Sequence, residues 1–178
     1  MNVRRVITGQ DADGHSVFVS DEEVPGDRYD LFPGWEFHPL WGTDAPAVVP
    51  SVPALDAGAA YFPGPGAVRF SFSTVPPQTT LPPGDLDIES AAAEVEAGMP
   101  GLLAHMEADD PGMHTTDTID LEVILSGEVI LELDGGVERI LRPGDTVVQT
   151  GVRHRWRNAG TEPCVMAIFM LGAERLTG

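Results

Sequence analysis

Five side chains in one short segment could hold a metal ion or move protons: His114, Thr116, Thr118, Asp120 and Glu122. All have even numbers, so on a β-strand they leave the backbone on one face. If His114 points inward, Asp120 and Glu122 do so as well. An inward Glu is costly unless it is paired, protonated or bound to a metal. A second imidazole, His154, opens the run His154-Arg155-Trp156-Arg157-Asn158. There His154 and Trp156 share one face. Arg153, Arg155 and Arg157 take the other, where solvated ion pairs are expected.

Strands must position these groups. From Pro111 to Leu171 the sequence reads as short β runs between turn signals. Leu121 to Leu133 is broken at Ser126-Gly127, and Asp134-Gly135-Gly136 is a hairpin turn. Val137 to Leu141, Thr146 to Gln149, Val152 to Asn158 and Cys164 to Leu171 follow, with the tight turn Arg142-Pro143-Gly144-Asp145 among them. Regular short strands of this kind predict a sandwich or closed barrel.

The N-terminal part differs. Residues 3–8 and 15–20 are β-rich on either side of Asp13-Gly14, which predicts a hairpin. Val24 to Pro65 is rich in Pro and Gly yet carries Phe32, Trp35, Phe37, Trp41, Tyr61 and Phe62. So aromatic a stretch is not a disordered linker, and it reads as an ordered arm wrapped over a hydrophobic surface. Val68 to Ser73 alternates as a half-buried strand. Ser90 is the expected N-cap of a short helix that Gly98-Met99-Pro100 interrupts, with a second helical turn over 102–106.

Composition excludes several classes of function. The chain has 178 residues, net charge −18, ten basic residues that are all Arg, and one cysteine. Its length suits one domain. So acidic a chain repels nucleic acid and anionic membranes. With no Lys there is no Schiff base, and with Cys164 alone there is neither an internal disulfide nor a cysteine zinc site. Cys164 lies in an apolar run and reads as a buried hydrophobe. No apolar h-region follows Arg4-Arg5, so a secretory leader is not expected and the cytoplasm is the expected location. His15, His38 and His105 read as surface or packing residues, with His105 able to reach a barrel mouth. The acidic turn Asp11-Ala12-Asp13 lacks the spacing of a calcium loop.

The run His114 to Asn158 resembles the two signature motifs of the cupin superfamily. The first, G-x5-H-x-H-x3/4-E-x6-G, aligns with its last Gly on Gly127, its Glu on Asp120, its first His on His114 and its second His on Thr116. The second, G-x5-P-x-G-x2-H-x3-N, is met by Gly144, Gly151, His154 and Asn158. Gln149 replaces its Pro, and the first gap is one residue short. The resemblance implies a mostly β double-stranded β-helix, or jelly-roll, barrel with a short helical insertion. Residues 1–66 form a hairpin and arm packing on it, and residues 67–178 form the barrel.

The same resemblance implies a divalent transition metal, Fe, Mn, Ni or Zn, held by His114, His154 and Asp120, a two-His-one-carboxylate set. Metal-binding relatives use three His and one Glu, and two of those His remain here. Glu122 is an alternative carboxylate ligand and, with Thr116, an expected catalytic group. Thr116 either donates to substrate or fills space. Gln149 and Trp156 are the expected pocket residues, with strand capping and core packing as their plainer roles. The expected function is a metal-dependent oxygenase, decarboxylase or isomerase/cyclase acting on a small organic metabolite, an oxidoreductase or lyase. A metal-free ligand-binding barrel is the alternative. The expected assembly is a homodimer through the hairpin and arm.

Overall fold

The computed structural model describes residues 1–49 and 58–176. Ten strands follow the alternating segments: β1 (Val3–Gln10), β2 (Ser16–Val24), β3 (Glu36–Thr43), β4 (Val68–Val75), β5 (Thr118–Ser126), β6 (Val129–Leu133), β7 (Val137–Leu141), β8 (Thr146–Thr150), β9 (His154–Arg157) and β10 (Cys164–Gly172). A five-stranded sheet ordered β3-β4-β10-β5-β8 faces a three-stranded sheet ordered β7-β6-β9, and β1-β2 form a separate hairpin. All the ladders are antiparallel. The mostly β, jelly-roll fold implied by the motifs is the fold observed. Val75, Ile124, Val129, Cys164 and Met166 close one end of its core, with Trp156 packed against them.

Gly127 shows why the first motif ends in glycine. Its φ is +74°, and a Cβ there would lie 2.5 Å from the Pro163 carbonyl oxygen and 2.8 Å from the Cys164 Cα. The β5–β6 turn therefore meets the start of β10 at a distance only glycine permits.

Three details differ from the sequence reading. The arm contains a strand, β3, at the edge of the large sheet, where a proline is tolerated; Pro39 pairs with Ser71, and the register shifts between Pro39 and Trp41. Helix α1 (Ile88–Gly98) is capped by Asp87, not Ser90, because the Asp87 carboxylate accepts from the backbone N–H groups of Glu89 and Ser90. Strand β4 is covered on both faces rather than one. Phe70 and Phe72 pack under the hairpin against Val3, Val24 and Leu40, while Arg69, Ser71 and Ser73 are buried on the other side.

The arm's aromatics go into a core of their own. Tyr29, Phe32, Phe37, Tyr61 and Phe62 surround Val95, Met99 and Leu102 of α1 and the short helix α2 (Leu102–His105). Among the described residues, no helix is long and apolar enough to cross a membrane.

Candidate functional site

His114 and His154 meet at the start of the barrel motif. Their backbones exchange two hydrogen bonds of 3.0 Å, and their ring centroids are 4.2 Å apart, tilted by 51°. Each Nδ1 lies against the carbonyl two residues earlier, Gly112 at 3.1 Å and Val152 at 2.9 Å. A carbonyl only accepts, so Nδ1 is the donor and Nε2 keeps its lone pair. Burial, and then the neighbouring His114, push His154 down to about 4. His114 is lowered chiefly by burial. Both are neutral at pH 7. Phe62 stacks on His114, and His105 stands edge-on to Phe62, so His105 does reach this corner.

The carboxyls come from β5. Its even residues turn inward and its odd residues outward. Asp120 pairs in register with Gln149 of β8 and Met170 of β10, and Glu122 with Val147 and Ile168. Asp120 and Glu122 are only 5% and 3% exposed. Burial raises Asp120 to about 6, against an opposing hydrogen bond from Thr118. Burial and then the charge of Asp120 raise Glu122 to about 8. The Tyr61 phenol is also raised, first by burial and next by Asp120, so it remains a donor.

Several polar atoms of this interior have no hydrogen-bond partner among the described residues: Asp120 Oδ1, Glu122 Oε2, Gln149 Nε2, Ser71 Oγ and Ser73 Oγ. Ser71 and Ser73 pair with Ile168 and Met166, whose other neighbours on the sheet are Glu122 and Ile124, so all share the inner face. A cavity of about 630 Å³ between the hairpin, β3 and α1 is lined by Arg5, Glu22 and Trp41 and touches Tyr61, Ser71 and Met170, while Asp120, Glu122, His114 and His154 are not among its lining residues. That volume is in the range of small-molecule sites. A smaller hollow of about 190 Å³ beside α1, between Asp85 and Glu94, lies away from these groups.

The other expected residues separate in role. Thr116 is buried, with its hydroxyl 2.8 Å from that of Thr118. Trp156 stands edge-on to His154 and packs in the core. Asn158 holds loops together, donating to the carbonyls of Val75 and Glu162 and accepting from Gly160 N–H. Arg153, Arg155 and Arg157 point outward to Glu107, Asp110 and Glu132. His38 is fully buried with Nδ1 against the Val24 carbonyl, and His15 is exposed.

As a metal seat the interior is half closed. Two neutral, tautomer-fixed imidazoles suit a divalent transition ion. Yet no choice of coordinating atoms brings His114, His154 and Asp120, or that pair with Glu122, within 4.8 Å of one another. The group that meets this spacing among the described residues is Asp11, Asp13 and His15, exposed at the hairpin turn. There Asp11 Oδ1 accepts from the backbone of Asp13 and His15, which explains the clustering without an ion.

Sequence reasoning missed Tyr61, Ser71 and Ser73 as site residues. The available signal was the polar alternation Arg69-Ser71-Ser73, which sits opposite an apolar face already covered by the hairpin.

The structure is a jelly-roll barrel with paired histidines and two carboxyls buried on the inner face of its large sheet. The Cupin_2 profile, described as a Cupin domain, matches residues 104–171, so this segment is similar to a cupin domain. The chain is 40% identical over 88 residues to phomopsin biosynthesis cluster protein C' of Diaporthe leptostromiformis, covering 49% of this chain and 40% of that protein. It is 29% identical over 172 residues to the cupin-domain-containing oxidoreductase srdB of Neurospora crassa, covering 94% of this chain and 71% of that one. A third relative, the cupin-domain-containing oxidoreductase fogC of Aspergillus ruber, is 36% identical over 98 residues, covering 49% and 48%. The match spans about two-fifths of the length of the phomopsin relatives.

Proposed function

We propose that this protein is an enzyme that binds a small organic metabolite in the barrel and moves protons on it, with Asp120 as base and Glu122 as acid. The observation that carries this reading is the pair of buried carboxyls with separated proton affinities, about 6 and about 8, each with an unpartnered oxygen. At pH 7 Asp120 is mainly ionised and Glu122 mainly protonated, the division of labour that acid–base catalysis needs. Asp120 takes a proton from a carbon next to a carbonyl. Glu122 gives one to the carbonyl oxygen, yielding the enol, and reversal at another position completes an isomerisation and restores both groups. Tyr61 and Ser71 line the cavity, and with the unpartnered Gln149 Nε2 they would orient polar groups of the ligand. The biosynthetic-cluster and oxidoreductase names of the relatives support a metabolite substrate and an enzymatic role.

His114 and His154 would hold a divalent ion, Fe(II), Mn(II), Ni(II) or Zn(II), through their Nε2 atoms. Such an ion supplies Lewis-acid polarisation of a substrate oxygen. The second reading is a ligand-binding barrel without turnover, which the wide spacing of imidazoles and carboxylates favours.

Proton exchange separates the two readings. The protein, loaded in turn with each metal or stripped, is incubated in D2O with a panel of small aldehydes, ketones and hydroxy acids, and deuterium uptake is followed by NMR. Uptake by the wild type that both Asp120→Asn and Glu122→Gln abolish supports the enzyme. Ligand binding with no uptake under any metal supports the binding module.

A further inference from the structure

The hairpin lies only partly against the sheet. At its base Val3 and Val24 pack with Leu40, Phe70 and Phe72. The next inward pairs of its ladder, Arg5 with Glu22 and Ile7 with Ser20, line the cavity of about 630 Å³, together with Trp41 and Phe70 of the large sheet. Phe37 and Phe70, both on this lining, pair with other rings, whereas among the described residues Trp41 pairs with none. Tyr61 and Met170 line the cavity as well, and Met170 is the ladder partner of Asp120. The space therefore runs from the hairpin to the neighbour of the buried carboxyls without including them.

We propose that this cavity is a binding site for the body of an uncharged, flat, mostly apolar compound that carries a carbonyl oxygen, such as an aryl ketone. Charge selects against ions. Arg5 and Arg69 on the lining balance Glu22 and Asp27, so an anion gains no net attraction there and is repelled by the −18 of the whole chain. A cation meets two guanidinium groups. Hydrogen bonding selects for an acceptor. Arg5 gives its terminal nitrogens to the Leu40 carbonyl and to Glu22, while its Nε–H is buried with no partner among the described residues. The Tyr61 phenol is a further donor on the lining, and Ser71 Oγ is buried there without a partner. A carbonyl oxygen beside Arg5 makes the hydrogen bond that the fold leaves unmade, and a buried donor without one is costly. The unpaired ring of Trp41 offers its face to a planar body, and Ile7, Pro39 and Met99 add apolar wall. Only the direction of the ligand's reacting end, toward Asp120, rests on the proton-transfer reading; binding under the hairpin does not.

The test is an NMR titration of the full chain, with isotope-labelled arginine, against acetophenone, benzoate and ethylbenzene, which share one ring and differ in the polar group. Acetophenone should bind about tenfold more tightly than ethylbenzene, which lacks the acceptor, and more tightly than anionic benzoate. It should also move the Arg5 Nε–H resonance, identified by its loss in Arg5→Met. In that variant the advantage of the ketone over ethylbenzene should fall to about threefold or less. Ile7→Trp, which fills the cavity, should weaken acetophenone binding by about tenfold or more. The Asp120→Asn/Glu122→Gln double variant should bind it as wild type does, since neither carboxyl lines the cavity. Should a variant fail to fold, the order of the probes and the moving Arg5 resonance are still read on wild type. Equal binding of acetophenone and ethylbenzene, tighter binding of benzoate, an unmoved Arg5 Nε–H, or binding that Ile7→Trp leaves intact overturns the proposal. The expected pattern in a protein that exchanges no deuterium supports the site and removes the proton-transfer reading alone.

Discussion

Asp120 and Glu122 stand two residues apart on the inner face of β5, and the charge of the first adds to burial in holding the second at about 8 while Asp120 itself sits near 6. Both groups keep their protons to higher pH in the folded chain than in the unfolded one. The fold therefore gains most from them below pH 4 and loses that gain as pH rises through 6 and 8. Glu122→Gln removes the larger part of this loss. Relative to wild type, the variant should gain nothing near pH 4 and on the order of 1–4 kcal/mol above pH 8. Urea unfolding at pH 4, 7 and 9 measures it; parallel curves for the two proteins would sink the assignment.

The histidines act in the opposite direction. His154 falls to about 4 in the fold, so the unfolded chain binds its proton first as pH drops below 6.5. Its contribution is complete above pH 6.5 and disappears as pH falls towards 4. His154→Gln should flatten the acid limb of the Tm–pH profile between pH 6.5 and 4 and leave the alkaline limb unchanged.

Metal binding at the paired imidazoles is tested by calorimetric titration of stripped protein with Fe(II), Mn(II), Ni(II) and Zn(II). Wild type should bind at least one ion about tenfold or more tightly than the His114→Ala/His154→Ala double variant. Equal, weak binding by both proteins would leave the exposed Asp11-Asp13-His15 turn as the remaining cluster and remove the barrel as a metal seat.

Gly127→Ala is expected to destabilise the fold by about 2–4 kcal/mol, from left-handed backbone strain together with a clash against main chain that cannot rotate away. A denaturant midpoint equal to wild type would show that the turn relaxes more than the contact with Pro163 and Cys164 allows.

Glu132 sits between Arg155 and Arg157, and hydrogen bonds from Arg155 hold its carboxyl down to about 2. Glu132→Gln should lower Tm at pH 7, and the difference from wild type should close as pH falls from 4.5 towards 2, where the native carboxylate loses its charge. Thermal melts across that window check this, and a difference that persists at pH 2 would point to packing instead.

The sequence by itself determined the barrel and its strand parity. The Gly127 turn, the Asp13-Gly14 hairpin and the alternation through Thr118, Asp120 and Glu122 are local, because a strand's two-residue period needs no knowledge of its partners. The motif spacing foretold that His114 and His154 meet, and parity sent Arg153, Arg155 and Arg157 outward. Local pattern did not say which side of an alternating strand was the inside. Apolar Phe70, Phe72, Leu121 and Val123 would ordinarily claim the core, yet here they face outward and Ser71, Ser73, Asp120 and Glu122 are enclosed. That inversion depends on the curvature of the large sheet toward the small one and on the hairpin lying over β3 and β4, which are contacts between residues far apart in the chain. The same long-range closure decided that Tyr61 joins the site, that the arm's aromatics fill a core of their own, and that the imidazole pair and the carboxylates occupy one barrel without converging on a single point. A one-dimensional motif places residues on strands, but distances across a barrel are fixed only when both sheets are in place.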